Sequence, residues 1–273
     1  MGLYFIDQGN PLDTGVLFLH GLGADSESWL LQIPSLVSAG YRAIAPDLPG
    51  FGRSRFIGKR WDLSFVTGEL INFLRELGVP SVHLVGISMG GAIAIRLAAV
   101  APDKIRSLVL VNSFDRLKPK NPDGWLYFIR RGMRAFFTSP QKQADLVANR
   151  IFPGADKEMY RQILIHNIRQ SDPVVYRKAM VALATFNGQS YLGKICKPTL
   201  VITGQEDTTI PLSAQARLAQ KIPHARHVVL PGAGHAANVD QPEVFNNTLV
   251  DFIRAQDESI CSNVASEVTG WRQ

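Results

Sequence analysis

Gly86-Ile87-Ser88-Met89-Gly90 is the segment best equipped for chemistry. A serine with glycine two residues away on each side, and another glycine at 91, suits a sharp turn from a strand into a helix. Side chains at 86 and 90 would collide with neighbouring backbone in such a turn, so only small residues fit. The turn lifts the Ser88 hydroxyl out of the sheet. It also sets the Met89 N–H at a helix N-terminus, where negative charge is favoured. The plainer alternative is a glycine-rich helix start capped by a serine.

A serine hydroxyl is a weak nucleophile at neutral pH and needs a base oriented by a third group. Of six histidines, His235 stands in Pro231-Gly232-Ala233-Gly234-His235, just past a strand-like run. Active sites of open α/β sheets lie at the C-terminal ends of the strands, so His235 is the candidate base. His20, His83, His166, His224 and His227 read as structural or solvent-exposed. Asp207 follows the run TLVITG and is the candidate acid, and Asp115, after SLVLVN, is a second geometric choice. The order Ser88, Asp207, His235 favours Asp207. The turn His20-Gly21-Leu22-Gly23 lets backbone approach a substrate closely. The N–H of Leu22 can there join that of Met89 as an oxyanion hole.

These residues need a scaffold. Apolar runs at 16–20, 42–46, 82–87 and 107–112 have strand length and lack polar alternation, as in strands buried on both faces. Helical patterns at 26–38, 64–77 and 89–100 lie between them, the second with Asp62 or Ser64 as its cap. This alternation predicts a parallel sheet with right-handed crossovers. It stops at 113, giving way to a mostly helical stretch broken near Pro119–Pro122, Ser139-Pro140, Pro153-Gly154 and Asp172-Pro173. It resumes with strands at 199–204 and 227–231 and helices at 213–221 and 242–255. The polar tail after Ala255 reads as either a short helix or a frayed end. The expected organisation is a core of 1–113 and 191–273, interrupted by a helical insertion of 114–190.

HGLG (20–23), DLPGFGRS (47–54), GISMGG (86–91), TGQEDTTIP (203–211) and PGAGHAANVDQPE (231–243), in this order, resemble the α/β-hydrolase superfamily. The resemblance implies a mostly parallel central sheet with helices on both faces and a helical lid inserted after the sixth strand. It further implies a Ser88–His235–Asp207 triad with Leu22 and Met89 at the oxyanion hole, and no cofactor or metal. Haloalkane dehalogenases and epoxide hydrolases carry an Asp nucleophile where this chain has Ser88. C–C bond hydrolases of ring-cleavage products usually have Asn before the serine and Trp after the histidine. Here those positions are Ile87 and Ala236, which disfavours that chemistry. Cleavage of carboxylic esters with small or medium apolar acyl groups is the leading reading. C–C hydrolysis of ring-cleavage products, a lipid esterase at a membrane surface and a triad-containing ligand receptor with little turnover are the alternatives.

With 273 residues and 46% hydrophobic content, the chain can bury a sizeable core and is not a disordered segment. Cys196 and Cys261 fit neither a disulfide framework nor a zinc pattern and read as free thiols. The start lacks the charged and apolar regions of a secretory signal, and residue 6 is Ile, which argues against myristoylation. A cytoplasmic protein is the expectation. The net charge of +6 is local: residues 114–190 hold 13 Lys and Arg against 6 Asp and Glu. Within them, 123–137 reads as an amphipathic helix with Trp125, Phe128 and Phe136 on one face and Arg130, Arg131 and Arg134 opposite. It is expected to roof the pocket, with weak contact to an anionic membrane surface as the alternative. No recognition motif accompanies the charge, so nucleic acid is not an expected partner. Oligomeric state is not legible.

Overall fold

The computed structural model describes residues 2–117 and 140–270, and of 140, 141 and 260–270 the backbone alone. The predicted helix at 123–137 lies outside the described residues. Seven strands form one sheet: β1 (Phe5–Gln8), β2 (Gly15–Leu19), β3 (Arg42–Pro46), β4 (Val82–Ile87), β5 (Ile105–Val111), β6 (Thr199–Gly204) and β7 (Arg226–Leu230). Their order is β1-β3-β2-β4-β5-β6-β7, with β1 antiparallel to β3 and every other pair parallel. The chain moves outward from β2 to β3, then crosses back to place β4 on the other side of β2. In such sheets ligands usually sit beyond the C-terminal ends of the strands that flank this reversal, here β2 and β4.

Alternation along each strand sends side chains to two faces. Leu17, Leu19, Ile44, Leu84, Leu108 and Leu110 pack into one apolar cluster with α2 (Leu63–Glu76) and α3 (Met89–Val100). Val16, Phe18, Ala43, Val85, Val109 and Ile202 pack into another with α1 (Ile33–Ser38) and Phe245, Leu249 and Phe252 of a long C-terminal helix. Nine of the twelve α3 residues are buried, which explains a helix built from Ala, Gly and Ile rather than from an amphipathic pattern. The α2 cap is Asp62, whose carboxylate accepts the Phe65 N–H at 2.8 Å.

Between β5 and β6 stand α4 (Pro140–Ile151), α5 (Glu158–Gln170), α6 (Pro173–Thr185) and the short α7 (Gln189–Leu192). Each of the last three predicted breaks falls at a helix start or between helices, and Asp172 caps α6 by accepting from Val174 and Val175 N–H. Ile168 of α5 and Tyr176 of α6 press against Gly23, and Val175 against Gly50, leaving no room for a Cβ at either glycine. The sheet is completed through α8 (Leu212–Lys221), the short α9 (Ala237–Asp240) and α10 (Pro242–Gly270).

Three expectations are corrected. The helical insertion follows the fifth strand, not the sixth; only β1 to β5 precede it among the described residues. The pattern at 26–38 is split into a 3₁₀ turn at Ser26–Trp29 and α1, because Pro34 belongs in a first turn and cannot continue a helix. The tail after Ala255 is neither short nor frayed: α10 continues to Gly270. No described helix is long and apolar enough to cross a membrane.

Candidate active site

Sheet register aligns the ends of the strands that carry the candidate residues. Leu19 pairs with Gly86, Ile87 with Val111, Val111 with Ile202 and Gly204 with Leu230. The residues that follow these strands therefore emerge along one edge. Ser88 emerges with φ 53 and ψ −110, a left-handed conformation costly for any residue with a Cβ. Its side chain makes no capping bond to α3, contrary to the plain helix-cap alternative. Its N–H donates to the Val111 carbonyl at 3.0 Å, and its own carbonyl accepts from the Ser113 hydroxyl at 3.2 Å. A Cβ at Gly90 would run into the backbone carbonyls of Leu19 and His20, and one at Gly86 into the Gly90 carbonyl. The turn is thus as tight as its glycines suggest.

Asp207 and His235 meet. The His235 Nδ1–H donates to Asp207 Oδ2 at 2.9 Å, and both side chains are buried. Nδ1 holds a proton because a carboxylate only accepts, so in the neutral ring Nε2 is the nitrogen that carries the lone pair. The carboxylate is saturated: Oδ1 accepts the N–H groups of Thr209 and Ile210 at 2.7 and 2.9 Å, and Oδ2 also accepts Gln215 Nε2 at 3.2 Å. Gln215 Nε2 donates as well to the Ile210 carbonyl, so its Oε1 must face the Thr203 hydroxyl, which donates to it at 2.9 Å. The loops touch because Gly204 has no side chain; a Cβ there would strike the Gly234 carbonyl. Asp240 Oδ2 accepts the Gly234 N–H at 2.9 Å, which holds the loop just before His235.

The turn after β2 lies beside Ser88: a Cβ at Gly21 would stand 3.8 Å from the Ser88 Cβ. The Met89 N–H opens α3, where a first-turn N–H has no acceptor within the helix. His20 clamps this turn to the next loop. Its Nδ1–H donates to the Gly21 carbonyl at 2.8 Å and its Nε2 accepts the Leu48 N–H at 3.0 Å. Full burial lowers its pKa and keeps it neutral, as that bonding demands.

The Ser88 hydroxyl makes no hydrogen bond to the His235 ring among the described residues; such bonds often tighten only when substrate binds. The remaining histidines lie apart. His83 is buried between Ser107 and Asp257, His227 bonds Thr203 at the sheet edge, and His166 and His224 are exposed. Asp115 is ion-paired with Lys221 at 2.8 Å. Asn112 and Gln215, both fully buried beside these loops, escaped the sequence reading. Cys196 is a free, exposed thiol. Among the described residues no group of three or more His, Cys, Asp or Glu is arranged to hold a metal ion.

A sheet with this crossover and a serine on a strained strand-to-helix turn define a hydrolase scaffold. The chain belongs to the alpha/beta hydrolase fold family, which matches residues 15–242. It is 29% identical over 259 residues to a putative carbamate hydrolase RutD of Variovorax paradoxus, covering 93% of this chain and 96% of that one. It is 30% identical over 267 residues to a 2-hydroxy-6-oxononadienedioate/2-hydroxy-6-oxononatrienedioate hydrolase of Cupriavidus pinatubonensis, covering 90% and 89%. The crystal structure of the enol-lactonase from Burkholderia xenovorans LB400 superposes with a TM-score of 0.83 at 25% identity, covering 92% of this chain and 96% of that one.

Proposed function

We propose that this hydrolase cleaves carboxylic esters with small or medium apolar acyl groups through an acyl-enzyme on Ser88. The Asp207–His235 hydrogen bond, set at the same sheet edge as the strained Ser88 turn, carries the reading. His235 Nε2 takes the Ser88 proton as the oxygen attacks the ester carbonyl. The N–H groups of Leu22 and Met89 receive the oxyanion, and losing one such donor typically costs about 3 kcal/mol. The imidazolium then returns its proton to the departing alcohol, leaving an acyl-serine. Water, deprotonated by His235, attacks the acyl carbon and the serine leaves with that proton. Asp207 fixes the tautomer and steadies the imidazolium without taking a proton. The relatives support acyl chemistry, since an enol-lactone is a cyclic ester.

A second reading, C–C cleavage of a ring-fission product, is favoured by the relative from Cupriavidus pinatubonensis and opposed by Ile87 and Ala236. A panel of p-nitrophenyl esters from acetyl to dodecanoyl, an enol-lactone, a carbamate and a dienoate ring-fission product separates the two. Ester hydrolysis predicts a nitrophenol burst, labelling of Ser88 by a fluorophosphonate and loss of both in Ser88→Ala. Turnover of the dienoate alone would replace the first reading with the second. Absence of burst, of labelling and of dienoate turnover would sink both.

A further inference from the structure

β5 ends at Val111, and the next residue, Asn112, has φ 42 with its side chain fully buried. Asn is among the few residues that accept the left-handed region readily. Its Nδ2 donates to the carbonyls of Gly234 and His235 at 2.8 and 2.7 Å. Its Oδ1 accepts the Gly204 N–H at 2.7 Å, and its own N–H donates to the Ile202 carbonyl at 3.0 Å. Both side-chain N–H donors are used on the His235 loop, and the third bond falls on the end of β6, from which the Asp207 loop departs. The orientation of the amide follows, because the reverse would set its oxygen against two carbonyls and its NH₂ against an N–H. The residues on either side of Asn112 hold the remaining loop: Val111 accepts the Ser88 N–H, and the Ser113 hydroxyl donates to the Ser88 carbonyl.

We infer that Asn112 is a positioning residue that sets the placement of the His235 and Asp207 loops relative to the Ser88 turn. The inference rests on the proposed roles of those three residues. It differs from a packing role because the Asn112 side-chain bonds end on the backbone of the His235 loop and of the end of β6, three residues before Asp207. A misplacement near 1 Å at such a site costs about 100-fold in rate.

The test compares wild type with Asn112→Gly, which keeps the backbone conformation and deletes the strut, and with Asn112→Asp, which keeps the shape and turns the paired donors into an acceptor. Asn112→Ser, able to reach one carbonyl, stands in if either fails to fold by urea denaturation. Active sites are counted by the p-nitrophenyl ester burst, and acylation is measured per counted site. The downfield Nδ1–H proton resonance of His235 is recorded on the same samples. The expected result is a fall in kcat per site of about 10- to 100-fold with little change in KM. The imidazole resonance should shift or broaden in step. A folded Asn112→Gly with the wild-type rate per site and an unmoved resonance would overturn the inference, leaving Asn112 a contributor to stability alone. If wild type shows neither burst nor labelling, the proposed function fails, and the resonance still decides whether Asn112 holds His235.

Discussion

Asp207→Asn keeps the shape of the side chain and reverses half of its hydrogen bonding. The retained oxygen still accepts the Thr209 and Ile210 N–H groups. The new NH₂ faces Gln215 Nε2 and His235 Nδ1, both donors in the native site. Gln215 cannot turn in relief, since Ile210 holds its nitrogen and Thr203 its oxygen. His235 escapes the clash by moving its proton from Nδ1 to Nε2. That nitrogen then has no lone pair for the Ser88 proton. The wrong tautomer is worth about 10⁴ in kcat, or about 5.5 kcal/mol of transition-state stabilisation. Leaving the Gln215 donor unsatisfied adds about 1–3 kcal/mol of lost folding stability. Activated-ester kinetics give the first figure and urea midpoints the second. A variant that folds and keeps more than about a tenth of wild-type kcat would refute the reasoning and return Asp115 to consideration.

Gly90→Ala should lower stability by about 1–3 kcal/mol or more, because its Cβ meets backbone that cannot rotate away; a urea midpoint within error of wild type would contradict this. Burial, with repulsion from Asp47 and Glu27, raises the Asp25 pKa from 3.8 to about 6. The fold therefore favours its neutral form: the stability this contributes is complete below about pH 4 and lost as pH rises through about 6. Asp25→Asn should raise unfolding stability in urea by up to about 3 kcal/mol at pH 8 and change it little at pH 4, where an equal gain at both would point elsewhere. Burial pushes the Asp257 pKa up, but hydrogen bonds with His83 and Arg106 outweigh it and bring it from 3.8 to about 2. That stability is present above about pH 4 and lost as pH falls through about 2. Discounted for solvent screening, Asp257→Asn should cost about 1 kcal/mol at pH 7 and nothing near pH 2, as urea unfolding across that range would show.

The parallel core was legible because buried strands such as VHLVGI leave an unbroken apolar run between turn residues. β1 was not, since Phe5–Gln8 pairs at the sheet edge, with only its first half partly buried. Pro34 marked the true start of α1 and was read through. Gly270 is the first Gly or Pro after Pro242, so the length of α10 could have been read, although its polar composition left a short helix and a frayed end both open. At the candidate site, Ser88, His235 and the glycines around them declare themselves through local turn chemistry. Gln215 does not, because its bonds to Thr203, Asp207 and Ile210 form only once the β6–helix loop folds back, and Asn112 does not, because its bonds join loops brought together only by the sheet. An Asn directly after an apolar strand was the one available signal for the latter.

Ile168 and Val175 sit in notches that Gly23 and Gly50 leave empty. A helix pair keyed into notches cannot slide across the rim of the sheet; it can only lift. Trimming Ile168 would slacken the turn that carries Leu22, and trimming Val175 would slacken the separate loop that carries Gly50. The two contacts tie one helix pair to two different loops of the core.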